Sequence, residues 1–227
     1  FMDEVQNVYT ALQLELFHGG WDYHVLDREF LKRAEISGSS LKIRDEEFSV
    51  LVLPPLVAME EESVRRIGAF LDAGGKVLSI GELPAALQGE KRIARFPLRK
   101  HPPFMDQLNY TRALETPPPL KEDLQPLLQK LQAIHPPEVR IAGDTTAGLH
   151  WSHRRSDDVD MYWVVNDSDR ERSAVWTFPG KGRFERWDAE SGKRTPWCNA
   201  GLLGMNPWEA FYIVRSDGPA DTCPEHP

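Results

Sequence analysis

Glu82 lies just past an apolar run, in the stretch KVLSIGELP from Lys76 to Pro84. A carboxylate at the carboxyl end of a strand in an open parallel sheet stands where ligands collect. Glu82 is therefore a candidate for ligand contact, set against the preferred reading of an acidic residue in a solvated loop. Ser79 falls inside the run and lacks the flanking glycines that present a nucleophilic serine on a sharp turn. No thiolate can serve there, because the two cysteines, Cys198 and Cys223, both come late in the chain. The glycines of DAGG follow a helical pattern instead of opening one, so no phosphate cradle is expected. No catalytic residue and no cofactor-binding residue is assigned.

His150 and His153, with His135 and Asp160 near them in sequence, have side chains able to ligate a metal. Residues three apart on a strand point to opposite faces, so the two histidines could share an ion only across a bulge. No metal ligand is assigned. SDDVD and NDSDRE are rich in oxygen donors but lack the spaced glycine and terminal glutamate of a calcium loop. They read as hairpin turns, with Asp167 and Asp169 in solvent. Six of the seven tryptophans fall from Trp151 onward. Aromatic rings stack on sugars, which opens the reading of a carbohydrate-binding face. In MYWVVN, Tyr162 and Val164 share one face while Met161, Trp163 and Val165 share the other. Both faces are apolar, which favours burial over a sugar platform.

These residues need a frame to hold them. Val5, Val8, Tyr9, Leu12 and Leu16 recur at helical spacing, so the spacing predicts a helix over 3–18, ended by Gly19 and Gly20. DYHVLD reads as a short strand and REFLKRAEI as a helical turn or two. SLKI and FSVLVLP read as strands, the second apolar enough to be buried on both faces. A helix is expected over about 60–73, with Glu60, Glu61 and Glu62 in its first turn, where the helix dipole favours negative charge. Val64, Ile67, Gly68 and Leu71 form its inner stripe, Gly74 and Gly75 its cap. KVLSI then returns as a parallel strand, completing a βαβ unit. Residues 92–119 are Pro-rich and aperiodic. Leucines from Leu120 to Leu131 give one more helix, and HPPEV breaks it. Beyond it GLHWSHRR, VDMYWVVN, SAVWTFP, GRFERWD and EAFYIVR are short strands separated by turn clusters, the pattern of an antiparallel sandwich.

The expected fold class is α/β: an amidotransferase-like (flavodoxin-like) parallel sheet with helices over 1–119, a helical linker over 120–137, and a small antiparallel β-sandwich over 138–227. Hydrophobic residues make up 41% of the 227, enough for packed cores. The net charge of −8 argues against a nucleic-acid partner. The basic segment KRIARFPLRK is diluted by apolar residues and reads as a solvated connection. No apolar run approaches the roughly 20 residues that span a bilayer, so no membrane partner is expected. Cys198 and Cys223 could pair, although two free thiols is the preferred reading.

Two stretches together carry a resemblance: 22–84, from DYHVLD through SIGELP, and HWSHRRSDDVDMYWVVNDSDRERSAVWTFPGKGRFERWDAESGKRTP with the closing GLLGMNPWEAFYIV. In this order they resemble the region downstream of the catalytic barrel in family 106 α-L-rhamnosidases. The first is also similar to the trimerisation domain of family 42 β-galactosidases. The resemblance implies an amidotransferase-like domain without amidotransferase chemistry. It places the acid and base carboxylates on a (β/α)₈ barrel, which needs about 250 residues and has no counterpart here. It therefore implies a non-catalytic, accessory portion of a rhamnosidase-like glycoside hydrolase. The implied partner is a catalytic barrel of the same polypeptide or of a subunit, with carbohydrate as a further partner. Two alternatives stay open: a stand-alone amidotransferase-like ligand-binding protein using Glu82 or its histidines, and a carbohydrate-binding module using its tryptophans. A doubly wound domain opens with a strand and this chain opens with a helix. The expectation is that the polypeptide continues upstream of Phe1, with a strand pairing beside DYHVL or VLVLP.

Overall fold

The computed structural model describes residues 2–100, 118–143, 148–156 and 158–219. The Pro-rich stretch 101–117, the C-terminal CPEHP and Cys223 lie outside the described residues. The chain divides into two compact units: residues 1–16 with 23–136, and residues 17–22 with 137–227. Among the described residues no helix is long and apolar enough to cross a membrane.

The first unit begins with α1 (Met2–His18), whose Val8, Ala11, Leu12 and Leu16 are buried at helical spacing. DYHVLD is not a strand: residues 21–27 are irregular, and Asp27 instead caps α2 (Arg28–Arg33) by accepting a hydrogen bond from the Phe30 amide at 2.8 Å. FSVLVLP also divides. Its start closes an antiparallel meander of β1 (Glu35–Ser37), β2 (Ser40–Ile43) and β3 (Glu46–Phe48). After Ser49, β4 (Val50–Leu53) joins a different, parallel sheet. That sheet has the order β4-β5-β6, with β5 (Lys76–Ile80) central and β6 (Ala94–Phe96) on its far side. The strand β6 comes from the basic segment read as a connection, with Ile93 buried beside it. Burial follows position: β5 is buried from Val77 to Ile80, whereas β4, at an edge, buries only Leu53 fully. Neither α4 (Ala85–Gln88) nor α5 (Pro118–Ile134) was placed with the sheet by pattern alone. In the structure α5 packs on β5 and β6 and buries Leu120, Leu124, Leu127, Leu128 and Leu131.

The crossover helix α3 (Glu61–Asp72) shows how tightly this unit is fitted. Ile67 and Phe70 are fully buried, and Gly74 takes a left-handed φ of 93° to end the helix. The next residue, Gly75, donates its N–H to the Phe70 carbonyl at 2.9 Å. A Cβ at Gly75 would fall 2.1–2.3 Å from three atoms of the Phe70 ring. That ring is enclosed by the core and has nowhere to turn. Gly75→Ala should therefore destabilise the unit by about 1–3 kcal/mol, read as a lower urea midpoint at unchanged m-value. Phe70→Leu in the same chain should recover part of the loss.

The second unit holds two antiparallel sheets. One has the order β13-β10-β7, from β13 (Ala200–Met205), β10 (Arg172–Thr177) and β7 (Arg140–Ala142). The other has the order β12-β11-β14-β9-β8, from β12 (Arg194–Trp197), β11 (Arg183–Trp187), β14 (Ala210–Ser216), β9 (Val159–Asn166) and β8 (Leu149–Ser156). Their facing side chains form one cluster, with Trp176, Phe178, Leu203 and Met205 against Trp151, Tyr162, Val164, Phe211 and Ile213. NDSDRE is a turn between β9 and β10, with Asp167 and Asp169 exposed. Asn166 at its base is fully buried, and its amide N–H groups reach the carbonyls of Arg170, Met205 and Asn206 at 2.7–3.3 Å. Cys198 is buried and disulfide-bonded, which overturns the preference for free thiols.

Candidate functional site

The strand ends of the parallel sheet are closed by the chain itself. After β5, Gly81 adopts φ 73° and donates to the Phe96 carbonyl at 2.9 Å. A Cβ there would meet Pro55 at 3.1 Å, so the loops after β4 and β5 touch. The Leu56 N–H donates to the Glu82 carbonyl at 2.9 Å, joining the same loops. Glu82 thus fixes the loop through its backbone, while its side chain is exposed. Ser79 is fully buried in β5 and its Oγ has no hydrogen-bond partner among the described residues. A serine hydroxyl without a base cannot be activated as a nucleophile.

The histidines separate as the strand period requires. His135 belongs to the first unit, where its Nδ1 lies 3.5 Å from Ser49 Oγ. On β8 of the second unit, His150 stacks on Phe17 with ring centroids 4.1 Å apart. Burial, reinforced by His18 nearby, pushes its pKa down. His153 faces the other way. Among the described residues no three histidine, cysteine, aspartate or glutamate side chains converge on a point that could hold a metal ion.

The densest polar chemistry surrounds His153. Its Nε2 is 2.9 Å from Asp160 Oδ1 and its Nδ1 3.3 Å from Glu138 Oε2. The ring stacks on Tyr162 at 4.6 Å, nearly parallel. Asp160 is buried and also accepts from Arg215 Nη2. Arg215 passes a second donor, Nη1, to the Lys181 carbonyl at 3.1 Å. Arg155 Nε lies 3.9 Å from Asp160. The hydrogen bond to Glu138 raises the His153 pKa, burial opposes it, and the bond to Asp160 adds to the rise. For Asp160 burial acts upward, yet the bonds from His153 and Arg215 prevail and hold its carboxyl below the ordinary range. Burial also raises the Tyr162 phenol.

Both ring nitrogens of His153 therefore face carboxylates. A catalytic base needs one nitrogen free for the proton it takes; this imidazole has both of its nitrogens engaged by carboxylates. The sequence brought His153 and Asp160 to attention as metal ligands, and the structure makes them an ion pair. Glu138 and Arg215 carry no such signal in the sequence, and Tyr162 reads there only as a core aromatic of β9. The only signal available was alternation, which puts Asp160 and Tyr162 on one face of β9. The pH response follows from the sign. The folded pKa of His153 is raised, so its stabilisation is complete below about 6.5, the ordinary value, and fades as pH rises through the higher folded value. Thermal midpoints of the wild type should fall across that interval, and His153→Gln should flatten the slope.

Relatives bear on what this frame belongs to. A family model for alpha-L-rhamnosidase, glycoside hydrolase 106, matches residues 3–198. The chain belongs to this family. No curated protein matches it. Among solved structures, the rhamnosidase from Novosphingobium sp. PP1Y superposes with TM-score 0.58 at 17% identity, over 88% of this chain and 20% of that one. The beta-galactosidase from Bacillus circulans sp. alkalophilus gives 0.56 at 11% identity, over 93% and 37%. Alpha-L-fucosidase isoenzyme 2 from Paenibacillus thiaminolyticus gives 0.56 at 12% identity, over 93% and 45%. At these identities the likeness is one of fold. The chain spans less than half the length of each of these three proteins.

Proposed function

We propose that this chain is the accessory, non-catalytic portion of a rhamnosidase-like glycoside hydrolase and supports a catalytic barrel that it does not itself contain. Within that reading, the first unit is an amidotransferase-like, flavodoxin-like domain that has lost any elbow chemistry, and the second is a β-sandwich. The parallel order β4-β5-β6 with its α3 crossover supports the first assignment. The core shared by two antiparallel sheets supports the second.

The observation that carries the proposal is the state of the carboxylates. Glycoside hydrolysis uses two, one of them held protonated by a raised pKa. Among the described residues, buried Asp123 faces Arg99, buried Asp160 faces Arg215 and His153, and buried Glu15 lies 3.8 Å from Lys121 without a hydrogen bond to its Oε1. Among the described residues, the carboxyls with shifted values, Glu60, Glu90, Asp160 and Asp188, all move down. Carboxyls shifted down in this way are poor proton donors to a leaving group, which supports the non-catalytic reading.

The 227-residue chain should release no 4-nitrophenol from 4-nitrophenyl α-L-rhamnopyranoside, and no ammonia from glutamine. A polypeptide that adds a barrel to it should cleave the rhamnoside. Turnover of either substrate by the short chain, abolished in Glu82→Gln, would replace this proposal with a stand-alone enzyme.

A further inference from the structure

The strand pairing in the second unit aligns aromatic side chains on the face of the five-stranded sheet that turns away from the core. On β9 the residues Asp160, Tyr162, Val164 and Asn166 are buried, whereas Trp163 between them is 40% exposed. Register places Trp163 beside Ser152 on β8 and Tyr212 on β14. Tyr212 in turn lies beside Trp187 on β11, and Trp187 beside Arg194 on β12. One line across five strands therefore reads Ser152, Trp163, Tyr212, Trp187, Arg194. Tyr212 and Trp187 are half-buried, unlike the enclosed aromatics of the core.

The end of the line is organised. Trp187 Nε1 donates to Glu185 Oε2 at 3.1 Å, and the Arg194 guanidinium lies 3.9 Å from the centroid of the Trp187 ring. Trp187 is thus pinned from its edge and from one face. Beside it the exposed Arg194 offers a planar donor, while Glu185 already accepts from Trp187 and, at 2.9 Å, from Arg183. Trp163 and Tyr212 offer ring surface beside them.

We propose that this row is a saccharide-binding site for an α-L-rhamnosyl unit, an inference that rests on the chain being part of a rhamnosidase-like hydrolase. The C–H faces of a pyranose pack on aromatic rings, and the hydroxyl rim needs planar polar partners. A 6-deoxy sugar presents a methyl group as well, which enlarges its apolar face. The apolar part of the face spans three strands and two residue rows, about 200 Å² from strand and residue spacings. A stable protein interface takes about 800 Å² from each side. The patch suits one or two sugar rings. Aromatic neighbours also strengthen a sheet, by about 0.2–1 kcal/mol per cross-strand pair. That role alone would leave no affinity for a sugar, so binding separates the two.

The test titrates the 227-residue chain with methyl α-L-rhamnopyranoside, followed by tryptophan fluorescence and by saturation transfer to the sugar protons. Saturation should reach the ring and methyl protons. Trp163→Ala should weaken association by at least about tenfold, which is roughly 1.4 kcal/mol, while Trp163→Phe keeps most of it. Trp208, exposed in the turn before β14, lies off the row, and Trp208→Ala should leave association unchanged. Trp208→Ala should melt near the wild type, and Trp163→Ala somewhat below it through loss of the cross-strand pair with Tyr212, so association is measured where both are folded. Absence of binding by the wild type at about 50 mM sugar, roughly fifty times a 1 mM dissociation constant, overturns the proposal. So does binding that survives Trp163→Ala or is lost equally in Trp208→Ala. A longer, barrel-containing polypeptide that cleaves rhamnosides while the row binds nothing sinks only the row. Trp163-dependent binding beside a longer polypeptide with no rhamnosidase activity sinks only the assignment of function.

Discussion

Asp160→Ala should lower the unfolding free energy of the second unit by about 3–5 kcal/mol, the usual loss when one partner of a buried charge pair is removed. Asp160 is 2% exposed and is the common acceptor of Arg215 and His153. Without it, two cations would face each other across a desolvated gap, with Glu138 left as the sole counter-charge to His153. Asp160→Asn should cost less, because its amide oxygen still accepts one bond. Replacing the set together, with Asp160→Leu, Arg215→Met and His153→Leu, should recover most of the loss, since no charge is then stranded. The acid side of the stability profile tests the same group. The folded pKa of Asp160 is depressed, so its stabilisation is present above its unfolded value and is lost as pH falls through the folded one. Urea unfolding of wild type and Asp160→Asn should converge in acid. Equal stability of wild type and Asp160→Ala at pH 7 would show that the cluster is solvated and dispensable.

The parts of this fold that were legible are those whose signal is local. A continuous apolar run marked β5, and paired glycines marked the end of α3, because strand burial and left-handed caps act within a few residues. Strand pairing is not local. DYHVLD alternates like a strand but finds no neighbour, and its last residue serves α2 as a cap. ARF carries little signal of its own and becomes β6 because β5 offers an unpaired edge. RTPW contains a proline and AGLLGM does not alternate, yet both become strands at sheet edges, where partial pairing suffices.

The candidate sites divide in the same way. Alternation showed that Trp163 and Val165 share a face, but not that the face is open. That depends on what the other sheet covers, and the other sheet packs on Tyr162 and Val164. The ion cluster needed more. Arg215 is 55 residues from Asp160 in sequence, and they meet only because β14 pairs with β9 in one register. A slip of one residue would turn Arg215 to the opposite face. Glu82 was placed on a loop and is on one, but the loop is held by its carbonyl and not by its carboxylate.

Trp176→Ala should be the most damaging single change in the core, at about 3–5 kcal/mol. Trp176 is fully buried near the C-terminal end of β10, paired with Gly201 on β13 and Ile141 on β7. Its ring lies nearly parallel to Phe178, with centroids 6.0 Å apart. Truncation loses that transfer energy and leaves a void between two sheets whose backbones are fixed by pairing and cannot close in. The indole nitrogen allows a sharper comparison. Trp176 Nε1 is buried with no hydrogen-bond partner among the described residues. An unmade bond of this kind costs about 1–3 kcal/mol. Trp176→Phe removes the stranded donor along with part of the ring, so one term offsets the other and the net loss should stay below about 1.5 kcal/mol. Chemical denaturation of the three proteins should therefore place the phenylalanine variant close to wild type and the alanine variant far below. A phenylalanine variant as unstable as the alanine one would mean that the indole N–H is bonded, through an ordered water, and contributes to the core instead of burdening it.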